Sequence, residues 1–89
     1  MEKRITGIRV GLAVDGQDLH ADCSIFLDSY GPPPRWRGRI WNLSTPMQLK
    51  KGIKVALTLP QGATAEATIQ RAVQRGSYDF QGDGLPPSF

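Results

Sequence analysis

Residues 8–23 read IRVGLAVDGQDLHADC, and the Asp15-Gly16 pair at their centre decides the fold. An Asp-Gly pair supplies the two positive-φ positions of a type I′ turn, so two strands pair outward from it one residue at a time. In that register Leu12 faces Leu19, Val10 faces Ala21 and Ile8 faces Cys23. The opposite face sets Arg9 against Asp22, Lys3 against Asp28 and Ile5 against Phe26, which are opposite charges and apolar partners placed directly across the strands. The first element is therefore a long hairpin over residues 4–28.

A second hairpin follows over residues 53–70. Ile53, Val55, Leu57 and Leu59 alternate with Lys54, Ala56 and Thr58, and Ala63, Ala65, Ala67 and Ile69 answer them. A three-residue loop, Pro60-Gln61-Gly62, sets Leu59 against Ala63, Leu57 against Ala65 and Val55 against Ala67, with Gly62 supplying the left-handed position. Large residues facing small ones fill the inside of a closing sheet. A last strand covers 77–81 after a tight turn at Arg75-Gly76, with Val73 opposite Tyr78. Arg71 would then lie beside Phe80, so either its stem snorkels or a bulge intervenes.

Between the hairpins, residues 31–34 form a rigid extended connector, because Pro32, Pro33 and Pro34 donate no backbone hydrogen bonds. Residues 35–41 alternate strictly, with Trp36, Gly38 and Ile40 on one side and Arg35, Arg37, Arg39 and Trp41 on the other. One short helical turn is expected at 46–51: Thr45 as N-cap, Pro46 at the first helical position, Gln48 as capping-box partner, Lys50 and Lys51 in the last turn and Gly52 at the C-terminal cap. Residues 82–89 are a turn-like and then extended tail.

The whole is a single all-β domain over residues 1–89, a small six-stranded, mostly antiparallel barrel or two-layer sandwich built from hairpins. Closure removes the edges an open sheet would have to guard. Eighty-nine residues bury only roughly 60–65% of the unfolded surface, which leaves little room for an enclosed active site. Hydrophobic residues at 39% and charged residues at 21% argue against disorder. Cys23 is the one cysteine. It excludes an internal disulfide or a multi-cysteine zinc site, and its inward position suits a small apolar residue. No apolar run reaches the 18 or so residues of a membrane span, and Met1-Glu2-Lys3-Arg4 leads into a strand rather than a signal sequence. The expected location is the cytoplasm.

Asp18, His20 and Asp22 share one strand face about 6–7 Å apart, a row that suits a metal or a general base. Asp22 already faces Arg9, however, and His20 faces Gly11, so the row reads as a solvated face. No nucleophile is placed near the single histidine, and the expectation is a non-enzymatic protein without a cofactor or metal. The stronger candidate is the stripe Arg35, Arg37, Arg39 and Trp41, with Lys50 and Lys51 after it. Guanidinium groups crowded on one strand face repel one another unless anions lie between them. Arginine forks fit phosphate oxygens and Trp41 can stack on a base, so the partner is an anionic ligand, a nucleotide or nucleic acid. The plain alternative pairs these arginines with Asp28, Glu66, Asp79 or Asp83. The formal charge of +3 permits an anionic partner without demanding one.

Arg35-x-x-x-Arg39, Asn42-x-Ser44, the strand Gly52-x-x-Val55-x-Leu57-x-Leu59-Pro60 and the late Gly76-x-Tyr78-x-Phe80-x-Gly82 resemble the PilZ family. The resemblance implies a six-stranded barrel that binds a cyclic dinucleotide, with Arg35 and Arg39 on its phosphates and guanine, and Asn42 and Ser44 on its other side. Met47 stands where the family motif carries glycine, and the arginine pair abuts the Asn-x-Ser turn instead of preceding it by a strand. A different class of function is carried by apolar residues outside the core. Ile5 and Phe26, with the tail residues Leu85 and Phe89, suit a surface for homo-oligomerisation or for a protein partner.

Overall fold

In a computed structural model, which describes residues 3–29, 34–74 and 76–87, six strands close into one barrel. They are β1 (Lys3–Val14), β2 (Gln17–Ser29), β3 (Arg35–Trp41), β4 (Lys54–Thr58), β5 (Thr64–Gln74) and β6 (Ser77–Asp83). Their order around the barrel is β1-β2-β3-β6-β5-β4, all neighbours being antiparallel, and β4 pairs back onto β1 through Leu12 with Leu57. No helix among the described residues is long and apolar enough to cross a membrane.

Both hairpin registers form as the turns dictate. Asp15 and Gly16 take φ of 52° and 77°, and Leu12, Val10 and Ile8 face Leu19, Ala21 and Cys23. On the second hairpin Val55 faces Ala67 and Leu57 faces Ala65, and Gly62 has φ of 99°. These rows line the core together with Ile25, Ile40, Leu59 and Ile69.

Three expectations are corrected. Beyond Ile8 the first hairpin does not keep its register: Ile5 faces Ile25, Arg4 faces Phe26 and Lys3 faces Leu27. Thr6 and Gly7 oppose Ser24 alone, a β-bulge whose left-handed residue is Gly7, with φ of 68°. The extra residue exchanges the two faces of the strand, so Ile5 packs against the core instead of beside Phe26.

The short helix at 46–51 is absent; those residues form a coil that ends in a turn at Lys51-Gly52. The capping residues are present, but so short a segment barely repays helix nucleation. Its groups find better partners in the barrel. Met47 packs on the core and Leu49 is buried in it, a two-residue alternation that only an extended chain allows. The Tyr78 hydroxyl donates to the Met47 carbonyl at 3.0 Å, and Gly52, with φ of 91°, donates its amide to the Ile69 carbonyl at 2.8 Å.

The third correction concerns β5 and β6. The strands run on to Gln74 and Asp83, and two bulges replace the uniform register. Gln70 and Val73 are the extra residues, so Phe80 faces Ile69, Asp79 faces Arg71 and Tyr78 faces Ala72. Arg71 thereby escapes the apolar row and joins the outer face.

β3 buries Trp36, Gly38 and Ile40 and exposes Arg35, Arg37 and Arg39, with Trp41 half-buried at its end. Trp36 and Phe80 pack edge to face at 6.0 Å. Each ring lies over a glycine of the neighbouring strand: a side chain at Gly82 would run into the Trp36 indole, and one at Gly38 into Phe80 and the Ser24 carbonyl. The Trp36 Nε1–H donates to the Gly84 carbonyl at 3.3 Å and Pro87 is buried, so the tail turns back onto the barrel. Of the connector expected at 31–34, only Pro34 lies within the described residues.

Candidate anion-binding groove

The outer face of β2, β3, β6 and the end of β5 is dished into a groove of about 980 Å³. Strand alternation delivers Arg35, Arg37, Arg39 and Trp41 to it from β3, and the bulge at Gln70 delivers Arg71 from β5. Asp28 and Asp79 are its acidic residues. Four guanidinium groups against two carboxylates leave the lining positively charged.

The carboxylates organise these arginines without neutralising them. Arg37 donates its Nε–H to Asp28 at 3.0 Å, and its guanidinium carbon stands 5.2 Å from the centre of the Phe26 ring. Asp79 accepts from Arg39 Nε at 2.7 Å on one oxygen and from Arg71 Nε at 3.1 Å on the other. One aspartate thus holds guanidiniums from β3 and β5 side by side. Each has five N–H donors, of which the Nε contact uses one. Burial works against the charge of Asp79, but hydrogen bonds from Arg39 and Arg71 outweigh it and hold the carboxyl below its ordinary range. The same hydrogen bond raises the already high pKa of Arg39. Arg35 is exposed and has no carboxylate partner among the described residues.

A second groove of about 1130 Å³ adjoins the first and shares Trp41, Gln74 and Ser77 with it. Met47, Leu49, Val73 and Tyr78 make its apolar wall, and Lys50 lies in it. Lys51 is exposed at the neighbouring turn and lines neither groove.

Asn42 and Ser44 have structural partners at the end of β3. Asn42, left-handed at φ 54°, donates through Nδ2 to Asp22 at 3.0 Å and accepts Arg9 on its carbonyl at 2.9 Å. Ser44 exchanges two hydrogen bonds with the backbone of His20, at 2.7 and 2.9 Å. Asp22 is held below its ordinary pKa, first by Asn42 and then by Arg9, so the Asp18-His20-Asp22 row has already committed one carboxylate. Cys23 is fully buried, and desolvation pushes its thiol up to about 12, which keeps it protonated and inert.

The apolar candidates separate. Ile5 faces inward, Phe26 lines the arginine groove, Leu85 is 79% exposed, and Phe89 lies outside the described residues. Sequence reasoning missed Arg71 as part of the stripe. The signal was present in the misfit of Arg71 against Phe80, which a bulge resolves by moving Arg71 to Asp79.

No family model, curated protein or solved structure matches the chain. A closed six-stranded antiparallel barrel with an arginine-lined outer groove is thus the class that the fold and this surface define.

Proposed function

We propose that this protein is a small non-enzymatic binding module that holds a phosphate-bearing ligand in the groove across β2, β3, β6 and β5. The observation that carries this reading is the excess of guanidinium groups in the groove, with two of them fixed side by side by a single aspartate. Arginines anchored through Nε keep the Nη edge that pairs with phosphate oxygens, and ordering them before binding lowers the entropy a ligand must offset. Arg35, Arg37, Arg39 and Arg71 supply the charge, while Phe26 and Trp41 supply surfaces for a ring. A cyclic dinucleotide, the ligand that the PilZ resemblance implies, is one member of this class. The reading sets the protein in the cytoplasm, where such ligands occur.

The test is a thermal-shift titration of wild type and the R37A/R39A double variant with mononucleotides, cyclic dinucleotides and inorganic phosphate at low salt. A ligand that binds only the native state raises Tm by mass action. Wild type should show a shift that fades with salt, and the variant should lose it with only a small fall in its unliganded Tm, because exposed ion pairs contribute only about 0–1 kcal/mol each. A variant that melts much earlier yet binds as before refutes the assignment.

A second reading, an adaptor acting through self-association, rests on Leu85, which stands 79% exposed at the start of the tail. Deleting residues 85–89 should then shift the protein to a smaller species on a sizing column and leave ligand binding intact.

A further inference from the structure

We infer that the ligand of this surface is a single strand of nucleic acid laid along β3, with its phosphates on the arginines and a base on Trp41. This rests on the phosphate-binding reading above and narrows it. Three features favour a strand over a free nucleotide. The first is length. Arg35 and Trp41 end the same outer row of β3, and six residues at strand rise span about 20 Å, more than one nucleotide can touch. The second is period. Residues two apart on a strand stand about 6.6 Å from one another, which is of the order of the spacing between successive phosphates in an extended nucleic-acid strand. Arg35, Arg37 and Arg39 therefore repeat in step with a polyanion.

The third feature is continuity. The arginine groove and the apolar groove share Trp41, Gln74 and Ser77, so the track does not end at Trp41 but passes it into a wall of Met47, Val73 and Tyr78, with Lys50 beside it. A basic run that leads to a half-buried indole and then to an apolar wall matches the way sequence-tolerant single-strand binders work: charge follows the backbone and aromatic faces take the bases. The shared glutamine and serine add hydrogen-bond groups at the crossing without demanding a particular base.

The experiment is fluorescence anisotropy with labelled thymidine dinucleotide, tetranucleotide and octanucleotide, with thymidine monophosphate and inorganic polyphosphate as competitors. Affinity should climb from dinucleotide to octanucleotide. Its logarithm should fall with log salt at a slope of about −2, as expected for three arginines each neutralising one phosphate of a single strand. Trp41→Ala should weaken the octanucleotide roughly tenfold, the effect of losing one stacked base, and Trp41→Phe should recover most of it. Arg35→Ala should weaken the octanucleotide more than it weakens the monophosphate, because only a strand long enough to span β3 reaches all three arginines of the row at once.

Monophosphate or dinucleotide binding as tight as the octanucleotide would overturn the strand assignment and keep the phosphate site. Polyphosphate competing as well as the octanucleotide, together with no effect of Trp41→Ala, would also overturn it in favour of a plain polyanion surface. Binding of none of these probes, polyphosphate included, would remove both readings.

Discussion

At the residue scale, two kinds of glycine hold this barrel, and they fail differently. Gly7 is needed for its backbone: φ is 68° and a side chain would meet nothing within 4 Å. Gly38 has ordinary strand dihedrals but no room, since a side chain there would overlap the Ser24 carbonyl and the Phe80 ring. The left-handed conformation costs an L-residue about 1–2 kcal/mol, whereas overpacking a tight core costs typically 1–3 kcal/mol and more where backbone must move. Gly38→Ala should therefore lower the urea midpoint more than Gly7→Ala. Trimming the neighbouring ring as well, in G38A/F80L, should recover part of the loss, because part of the clash is with that ring and the rest with the Ser24 carbonyl. No second-site relief is expected for Gly7→Ala. Equal losses in the two single variants would mean that the packing of Phe80 over Gly38 is not what the site demands.

At the scale of elements, the barrel divides into what turns specify and what curvature specifies. Asp15-Gly16 and Pro60-Gln61-Gly62 each fix a register locally, and both hairpins follow their turns near the tip. Thr6-Gly7 departs from the first of these pairings, and Gln70 and Val73 from a uniform β5–β6 pairing, because a sheet that closes must bend, and each bulge inserts a residue where it bends. Nothing in the alternating pattern announced the first, and only the clash of Arg71 with an apolar row hinted at another. The arginine stripe of β3 was legible because strict alternation needs no partner strand to be read. Its partners Asp28 and Asp79 were legible only as candidates, and Arg71 only once the bulge is known.

Residues 46–51 make the same point from the other side. Their local capping signals were sound, yet Met47 and Leu49 are drawn inward by the barrel, and Tyr78 satisfies a carbonyl the helix would have used. Tyr78→Phe should cost about 1 kcal/mol, the net value of a typical hydrogen bond. It should also speed amide exchange in residues 43–52 more than in β1. Uniform acceleration through the barrel would show that the hydroxyl does not anchor this segment.

At the scale of the whole molecule, two three-stranded meanders, β1-β2-β3 and β4-β5-β6, meet along two seams, and the β3–β6 seam concentrates the specific chemistry. The Trp36 and Phe80 rings interlock across it with Gly82 and Gly38, and Asp79 of β6 ties Arg39 of β3 to Arg71 of β5 on the outside. Barrel closure and the arginine groove therefore share one carboxylate, which makes this seam sensitive to acid. Asp79 titrates below its ordinary value of 3.8 in the folded protein. A carboxylate with a lowered folded pKa adds stability that is present above the unfolded pKa and is lost as pH falls through the folded one. Its contribution should be whole at neutral pH and decline below about pH 4. Asp22, lowered by Asn42 and Arg9 at the end of β3, adds to the same acid limb. Asp79→Asn keeps the shape and removes the charge. The variant should be less stable than wild type at pH 7, and the gap should shrink as the pH drops through the acid limb, leaving only the slope due to Asp22 and the other carboxylates. Urea unfolding of both proteins at pH 7, 5 and 3 measures that gap directly. A gap that stays constant over the series would mean that the charge of Asp79 does not hold the seam. Phosphate binding by Asp79→Asn at pH 7 then separates the two roles of the residue: weaker binding by a protein still fully folded at the assay temperature would show that the aspartate positions Arg39 and Arg71 for the ligand as well as closing the barrel.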